Sequence, residues 1–482
     1  MTRTSKYELS GESLAEFTGG RLISGAGLYV GSGASINSRT ITTGQVFFAI
    51  IGPRFDGHDF VEAAIEAGAA GIVVAESSLS HPSVEKCVTG GKCFVVAVKD
   101  TTEALINAAR SWVAILAPRV CAITGSVGKT TTKDLISAAV SSTLATHSTA
   151  GNFNNRLGLA LTCLGLRPSH EVLVVEMGMN AAGEIAELCT IARPDVGVVT
   201  TVAPVHLEGL GTIQNVAAAK AELVQALRSD GVAVLNADDP LVAAMVGKTS
   251  ASVVWFGRSA NADVRLADAS IDHEGHTVAT FEIKGREHHV ALKLAGIHNA
   301  LNAACAVAAA MAVGVDPAMA CAAISSVEPG RHRLALADIG TVRVIDDCYN
   351  ASPRSVEVAL DTLKAVSAQR RRVAILGDML EMGTATESVH RDAGISVALH
   401  EVNCLIAVGR NSTVMASAAV EAGMSNYDVY EAPDAIAAAS LAREMLRSRD
   451  VVLVKGSRGV GLELVVEAIR ARFGTGEAEA NN

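Results

Sequence analysis

The sequence has no C-x-x-C pair, no block of lysine and arginine, and no apolar run long enough to cross a bilayer. Each absence removes a class of protein. The nine cysteines stand singly, and several, such as Cys121 and Cys305, sit inside apolar runs where a cysteine behaves as a small hydrophobe. An odd number without pattern fits a reducing compartment and not a disulfide framework. A net charge of −10 without a basic block argues against a nucleic-acid partner. It also makes recognition of a phosphate-bearing substrate depend on local sites, not on a global field. Ala-rich stretches such as 303–312 are too short and too finely interrupted to span a membrane, and residues 1–8 lack the apolar core of a signal peptide. The expectation is a cytoplasmic protein with no membrane insertion.

What is present is apolar and long. The 482 residues are 49 % hydrophobic and 19 % charged, enough for large cores, and the length points to roughly three domains. Residues 1–115 read as a small α/β module, with strand-like runs at 45–51, 71–75 and 93–98, short helices such as 59–67, and a helix at 101–116 leading onward. Residues 116–330 alternate for longer. Strands at 120–124, 172–176, 196–202 and 232–236 each end in a polar or glycine loop, which predicts a mostly parallel, doubly wound sheet with ligands at its carboxyl edge. Alternation at 264–294 around Gly275 and Gly285 predicts an antiparallel hairpin extension, and 299–313 a long Ala-rich helix. Residues 331–482 form a second alternation, Rossmann-like, with strands at 342–346, 373–376, 405–408 and 451–454 and a disordered tail from 474. It contains no G-x-G-x-x-G, so a dinucleotide site is not supported.

The strongest chemical signal is the run 120–132. A buried strand breaks into a loop carrying Gly125, Ser126, Gly128, Lys129, Thr130 and Thr131, and a helix-like run follows. Glycines let backbone N–H groups close around phosphate oxygens, the helix N-terminus adds a favourable dipole, and Lys129 adds a point charge. Thr130 would place its hydroxyl on Mg²⁺. The usual first glycine of such a loop is missing, because Ile123 stands in its place. Glu176, at the end of a strand in the same sheet, is either a metal-binding carboxylate or a surface acid beside a turn. His206 is either a ligand or the residue that opens the next helix. Lys220 lies two residues from Glu222, too close for an i,i+4 pair, and composition alone does not single it out. Loops at 346–353, 377–383 and 455–459 follow strands of one sheet and form a binding face, in which Lys455 and Arg458 would suit a carboxylate or phosphate.

Taken in order, TGSVGKTT at 124–131, GNFNN at 151–155, EMG at 176–178, HLEG at 206–209, KAE at 220–222, HNALN at 298–302, PGR at 329–331, DDCYN at 346–350 and KGSR at 455–458 resemble the Mur ligase family of peptidoglycan precursor synthesis. SR at 38–39, FFA at 47–49 and GPRFDGHDF at 52–60 resemble the uridine-nucleotide domain of two sister branches, one adding the third amino acid and one adding D-alanyl-D-alanine. GDMLEMG at 377–383 with KGSR resembles the dipeptide-adding branch. Asn37, where the family usually has Asp, and Cys348, where it more often has Ser, are departures.

The resemblance implies three α/β domains: a uridine-nucleotide domain, a central P-loop ATPase-like domain and a C-terminal Rossmann-like domain for the incoming dipeptide. It implies an ATP-dependent ligase that phosphorylates the terminal carboxylate of UDP-N-acetylmuramoyl-tripeptide and lets the D-alanyl-D-alanine amine displace the phosphate. Lys129 and Thr130 would hold the β/γ-phosphates and one Mg²⁺ with Glu176. Lys220, as a carbamate, and His206 would orient a second Mg²⁺. Asn299 would contact adenine, while Arg331 and Asp347 would bind ATP from the hinge and the third domain. Ser38, Arg39, Phe55, Asp56, Gly57 and His58 would meet the uridine nucleotide. Asn154, Asn155 and residues 149–152 would meet the muramoyl-peptide, and Asp378, Glu381, Lys455 and Arg458 the peptide and dipeptide. The chain is expected to act as a monomer. The competing readings are the sister ligase adding a single amino acid, folylpolyglutamate synthase, and a catalytically silent nucleotide-binding scaffold.

Overall fold

The computed structural model describes residues 9–31, 33–205, 207–272 and 274–474. Three sheets organise it, each covered by helices. The expected tail lies outside the described residues from 475 onward.

The first sheet runs in the order Arg21–Ser24, Phe94–Val98, Gly71–Ala75, Val46–Phe48, Ala34–Ser35 and is parallel except at its Arg21–Ser24 edge. The strand expected at 45–51 is only Val46–Phe48. The chain folds back just beyond it, where the Gly57 N–H donates to Ile50 O. A Cβ on Gly57 would lie 2.6 Å from Ile50 N, so only glycine lets these backbones meet. The helix expected at 59–67 begins as a 3-10 turn, Gly57–Phe60, capped by Asp56, and continues as Val61–Glu66.

The central sheet has nine strands, ordered Arg286–Leu292, Thr277–Ile283, Val264–Ile271, Ser252–Gly257, Val232–Asn236, Val196–Val199, Arg119–Thr124, Val172–Glu176, Thr146–Ser148. The expected hairpin extension is a three-stranded antiparallel meander that joins the parallel part through Phe256–Val264 and Gly257–Arg265 pairing. The strand expected at 196–202 stops at Val199. Beyond it Thr200 and Thr201 serve the glycine loop, Thr200 Oγ1 donating to Val127 O and Thr201 O accepting from Ser126 N. The Ala-rich helix His298–Ala312 packs against Lys129–Ser141, and its Ala303–Ala310 stretch is wholly buried. Small side chains let the two helix backbones come close, so the loop that starts Lys129–Ser141 rests on a rigid layer.

The third sheet runs Ala335–Ile339, Val342–Asp347, Val451–Lys455, Arg372–Gly377, Cys404–Val408, Val429–Ala432 and is parallel except for its first pair. Cys404–Val408 and Val451–Lys455 are buried from end to end, and Arg372–Gly377 throughout except at Arg372, as a parallel sheet covered on both faces requires. The nine cysteines are free and buried. Among the described residues no helix is long and apolar enough to cross a membrane.

Candidate active site

A cavity of about 740 Å³ lies where the carboxyl-edge loops of the central and third sheets meet. Its floor is the glycine loop. Gly125 has φ +153° and Gly128 φ +84°; a Cβ would come within 1.9 Å of Thr200 Oγ1 at the first and 2.6 Å of Asn302 Oδ1 at the second. Both positions therefore exclude side chains, and the loop N–H groups stay open to a ligand. Lys129 is the first residue of its helix, and its Nζ donates to Gly125 O at 2.8 Å. Burial lowers its pKa, Glu176 opposes that shift, and Arg333 adds to it.

Glu176 is 1 % exposed. Its Oε2 accepts from Thr130 Oγ1 at 2.6 Å and its Oε1 from Asn154 Nδ2 at 2.7 Å. Of the two readings open for Glu176, the surface acid is excluded. Hydroxyl and carboxylate oxygens beside a phosphate cradle are the hard donors that Mg²⁺ takes. Ser126 closes the loop from the other side, with Oγ donating to Ala203 O and accepting from Ala203 N. Thr131 and Asn155 also line the cavity, although Asn155 Oδ1 is engaged as a helix cap by the Gly158 N–H.

Lys220 sits in the helix Ile213–Gln225 and is 2 % exposed. Among the described residues no hydrogen bond or ion pair reaches its Nζ. Burial first, and the Lys129 charge second, lower its pKa well below the ordinary lysine value. A buried amine held towards its neutral form is a mark of function more than of stability. Glu222 points elsewhere and accepts from Gly183 N and Ala186 N. His206 lies outside the described residues.

The facing wall comes from the third sheet. Asp347 Oδ2 accepts from Lys455 Nζ at 2.6 Å, and Oδ1 accepts from Leu334 N. Burial raises the Asp347 pKa against the pull of Lys455. Lys455 also donates to Asn350 O. Arg458 and Glu381 line the cavity, whereas Asp378 does not. Its carboxylate accepts from Arg410 N, Asn411 N and Asn411 Nδ2. Asn299 lines the cavity, with Nδ2 donating to Ala295 O and Oδ1 accepting from Asn302 Nδ2.

Arg331 is exposed and outside the cavity lining; Arg333 is inside it, with its guanidinium 4.0 Å from the centre of the Tyr349 ring. Neither Arg333 nor Tyr349 was singled out from sequence. Arg333 stands two residues beyond PGR, in a stretch that turns at 331–332, bends at 333–334 and has left-handed backbone at His332 and Leu334, so no regular periodicity relates the two arginines. Asn302 was also passed over, though its i,i+3 spacing from Asn299 marks one helix face.

The uridine candidates lie apart from this cavity. Phe55 is 70 % exposed, edge-on to Phe60 at 6.5 Å. Arg39 is exposed, and its N–H donates to Asn37 Oδ1. His58 is fully buried: Nε2 accepts from Ala75 N at 2.9 Å, so the ring proton is on Nδ1, which donates to Asp56 Oδ1 at 2.6 Å. Both ring nitrogens are thus committed to the fold.

The chain matches the Mur ligase middle domain over residues 123–310, the Mur ligase glutamate ligase domain over 332–458, and the catalytic domain of the Mur ligase family over 32–112. The UDP-N-acetylmuramoyl-tripeptide--D-alanyl-D-alanine ligase of Bacillus subtilis strain 168 is 34 % identical over 90 % of this chain and 92 % of its own length. That of Escherichia coli strain K12 is 33 % identical over 90 % and 92 %. Among solved structures, MurF from Acinetobacter baumannii superposes with a TM-score of 0.82 at 27 % identity, covering 96 % of this chain and 99 % of that one. MurF from Thermotoga maritima in complex with ADP gives 0.77 at 27 % identity, covering 92 % and 98 %.

Proposed function

The chain belongs to the Mur ligase family, and from that premise we propose how its cleft joins D-alanyl-D-alanine to UDP-N-acetylmuramoyl-tripeptide at the expense of ATP. The activity is that of the relatives matched over nearly the whole chain. One observation carries the residue-level reading: a phosphate cradle on one sheet and a cationic loop on another share a single cavity.

ATP lies along the glycine loop, its β/γ-phosphates on the N–H groups of 125–131 and on Lys129. Releasing its bond to Gly125 O frees the Lys129 ammonium for the transferring phosphoryl group. Asn299 and the Arg333–Tyr349 stack flank the nucleotide from the hinge. Asn154 and the 149–152 loop orient the tripeptide carboxylate for attack on the γ-phosphorus, giving an acyl phosphate and ADP. The dipeptide amine then attacks the acyl carbon, and phosphate leaves as the amide forms. Arg458 and Lys455 hold the dipeptide carboxylate from the third sheet. Holding both reactants in one cavity is worth several kcal/mol, on the order of 7 or more in well-oriented cases.

Thr130 and Glu176 would hold one Mg²⁺, and Lys220, once carbamylated, would help hold a second. The buried, neutral-leaning Lys220 amine fits that modification, because only an uncharged amine adds to CO₂ and the product is an anionic oxygen donor. The ions supply charge neutralisation for phosphoryl transfer. Uridine sits against Phe55 and Arg39, with Ser38 beside them. Asp56, Gly57 and His58 shape that loop. The chain acts as a cytoplasmic monomer.

Purified protein with ATP and Mg²⁺ should release phosphate only when both UDP-muramoyl-tripeptide and D-alanyl-D-alanine are present. Equal turnover with a single amino acid and the UDP-muramoyl-dipeptide would overturn the acceptor assignment. In ¹³C-bicarbonate, wild type should show a carbamate resonance that Lys220→Ala lacks; an unchanged resonance, or wild-type turnover in that variant, would remove the modified lysine from the reading.

A further inference from the structure

Behind the Asp347–Lys455 wall lies a second cluster that the ligase reaction does not use. His332 stands on the linker that enters the third sheet, with φ +62°, a left-handed backbone that a residue with a Cβ holds only when its surroundings impose it. Asp346 and Cys348 come from the carboxyl end of the strand Val342–Asp347. Successive strand residues point to opposite faces, so Asp347 turns to the cavity while Asp346 and Cys348 turn together towards His332. His332 Nδ1 donates to the Asp346 carboxylate, at 3.0 Å from Oδ1 and 2.8 Å from Oδ2; Cys348 Sγ donates to the same Oδ1 at 3.1 Å and lies 3.3 Å from Nδ1. One nitrogen, one oxygen and one sulfur therefore converge within 4.8 Å of one another.

We propose that His332, Asp346 and Cys348 form a binding site for one borderline-soft divalent cation of the Zn²⁺ class, with water in the fourth position. Tetrahedral zinc with nitrogen, oxygen and thiolate ligands separates its donor atoms by about 3.3–3.6 Å. The three separations here are a few tenths of an ångström shorter, as expected of donors drawn together by their own hydrogen bonds when no ion sits between them. Side-chain rotation at Asp346 opens them without moving the strand. The donor set also discriminates: a thiolate and an imidazole select zinc-like ions over Mg²⁺, which takes oxygen ligands and keeps its waters. Binding displaces two protons, the thiol proton of Cys348 to solvent and the Nδ1 proton of His332, which moves to Nε2 of the ring. With the ring retaining a proton on Nε2, the net release is one per ion, and affinity rises with pH. The ion would tie the linker at 332 to the strand end that carries Asp347 and Tyr349, whose N–H already donates to His332 O.

Co²⁺ is the probe. The full chain, without ATP, in excess Mg²⁺ and a phosphine reductant, should bind one equivalent and develop a near-ultraviolet thiolate-to-cobalt band that one equivalent of Zn²⁺ removes. Cys348→Ser should lose the band, and His332→Ala should weaken binding by about tenfold or more. No band in the wild type overturns the proposal. So does a band that persists in Cys348→Ser, since it would come from another of the nine cysteines. A circular dichroism melt of Cys348→Ser matching wild type shows that loss of the band is loss of a ligand and not of the fold.

Discussion

Glu176 ends a parallel strand of the central sheet and Asp378 follows one of the third, both at the carboxyl edge, and both are buried, at 1 % and 6 % exposure. Their partners differ in kind. Glu176 accepts from two side chains, Thr130 and Asn154, at the cavity wall. Asp378 accepts from the backbone N–H groups of Arg410 and Asn411, with Asn411 Nδ2 as its one side-chain donor among those bonds, and closes the turn after Cys404–Val408. Side-chain donors can be exchanged for a ligand at little cost to the fold. Backbone donors cannot, because a buried N–H left without a partner costs about 1–3 kcal/mol. The central edge therefore suits the reacting role proposed for it, and this corner of the third holds its loops still.

The largest effect should come from Glu176→Gln. It keeps the shape and removes the anion, so turnover should fall by about 10²–10³-fold while the melting temperature stays close to wild type. Retention of most of the activity would put Glu176 on the structural side with Asp378. The mirror variant, Asp378→Ala, strips partners from two backbone N–H groups and should lower unfolding free energy by about 2–4 kcal/mol, measured by urea titration. Turnover per folded molecule should change little. A raised KM for the dipeptide at unchanged stability would return Asp378 to the substrate, where the sequence had put it.

His298 sharpens the contrast from the seam between the two sheets. It lines the cavity, and burial first, then the Lys455 and Arg354 charges, lower its pKa to about 4 from 6.5, with Asp361 opposing. The unfolded chain takes up a proton near pH 6.5 and the folded chain only near 4. Between those values the unfolded state binds more protons, so stability falls as pH drops through that window. The side chain keeps some exposure to the cleft, so the loss should be about 1–3 kcal/mol and not the full value of the shift. Urea midpoints at pH 7 and pH 5 read it, and His298→Asn should shrink the difference. An equal fall in the variant would assign the acid sensitivity to other groups.

The same division explains what the sequence could disclose. The strand–glycine–Lys–Thr order specifies the cradle because sterics leave Gly125 and Gly128 no alternative, and the parallel sheets follow from uninterrupted apolar runs at 172–175, 405–408 and 451–454. Lys220 was not legible from composition, since its meaning comes from burial beside Lys129, a tertiary fact. Arg333 was not legible because the turn at 331–334, with left-handed backbone at His332 and Leu334, breaks any regular periodicity, and its place over Tyr349 is a tertiary fact. Asp378 read as a substrate residue because its partners, Arg410 and Asn411, lie some thirty residues on, about one βα unit away. At 264–292 alternation and the two turn glycines, Gly275 and Gly285, mark the antiparallel extension, but alternation does not say which strand pairs with which.

The smallest effects belong to two residues three apart in the loop proposed to meet uridine. Phe55 is exposed and makes only an edge contact with Phe60, so Phe55→Ala should leave stability within about 0.5 kcal/mol. If the exposed ring carries the uracil, KM for the UDP-substrate should rise while kcat holds, because uniform binding is lost. His58 is the committed partner. His58→Ala leaves the Ala75 N–H buried and unpaired and removes the hydrogen bond to Asp56, at about 1–3 kcal/mol of stability, with the change in KM smaller than for Phe55→Ala. The reverse pattern, stability lost at Phe55 and substrate affinity at His58, would mean that exposure in the free protein is a poor guide to which residues a ligand meets. It would then weaken the distinction drawn between Glu176 and Asp378 as well.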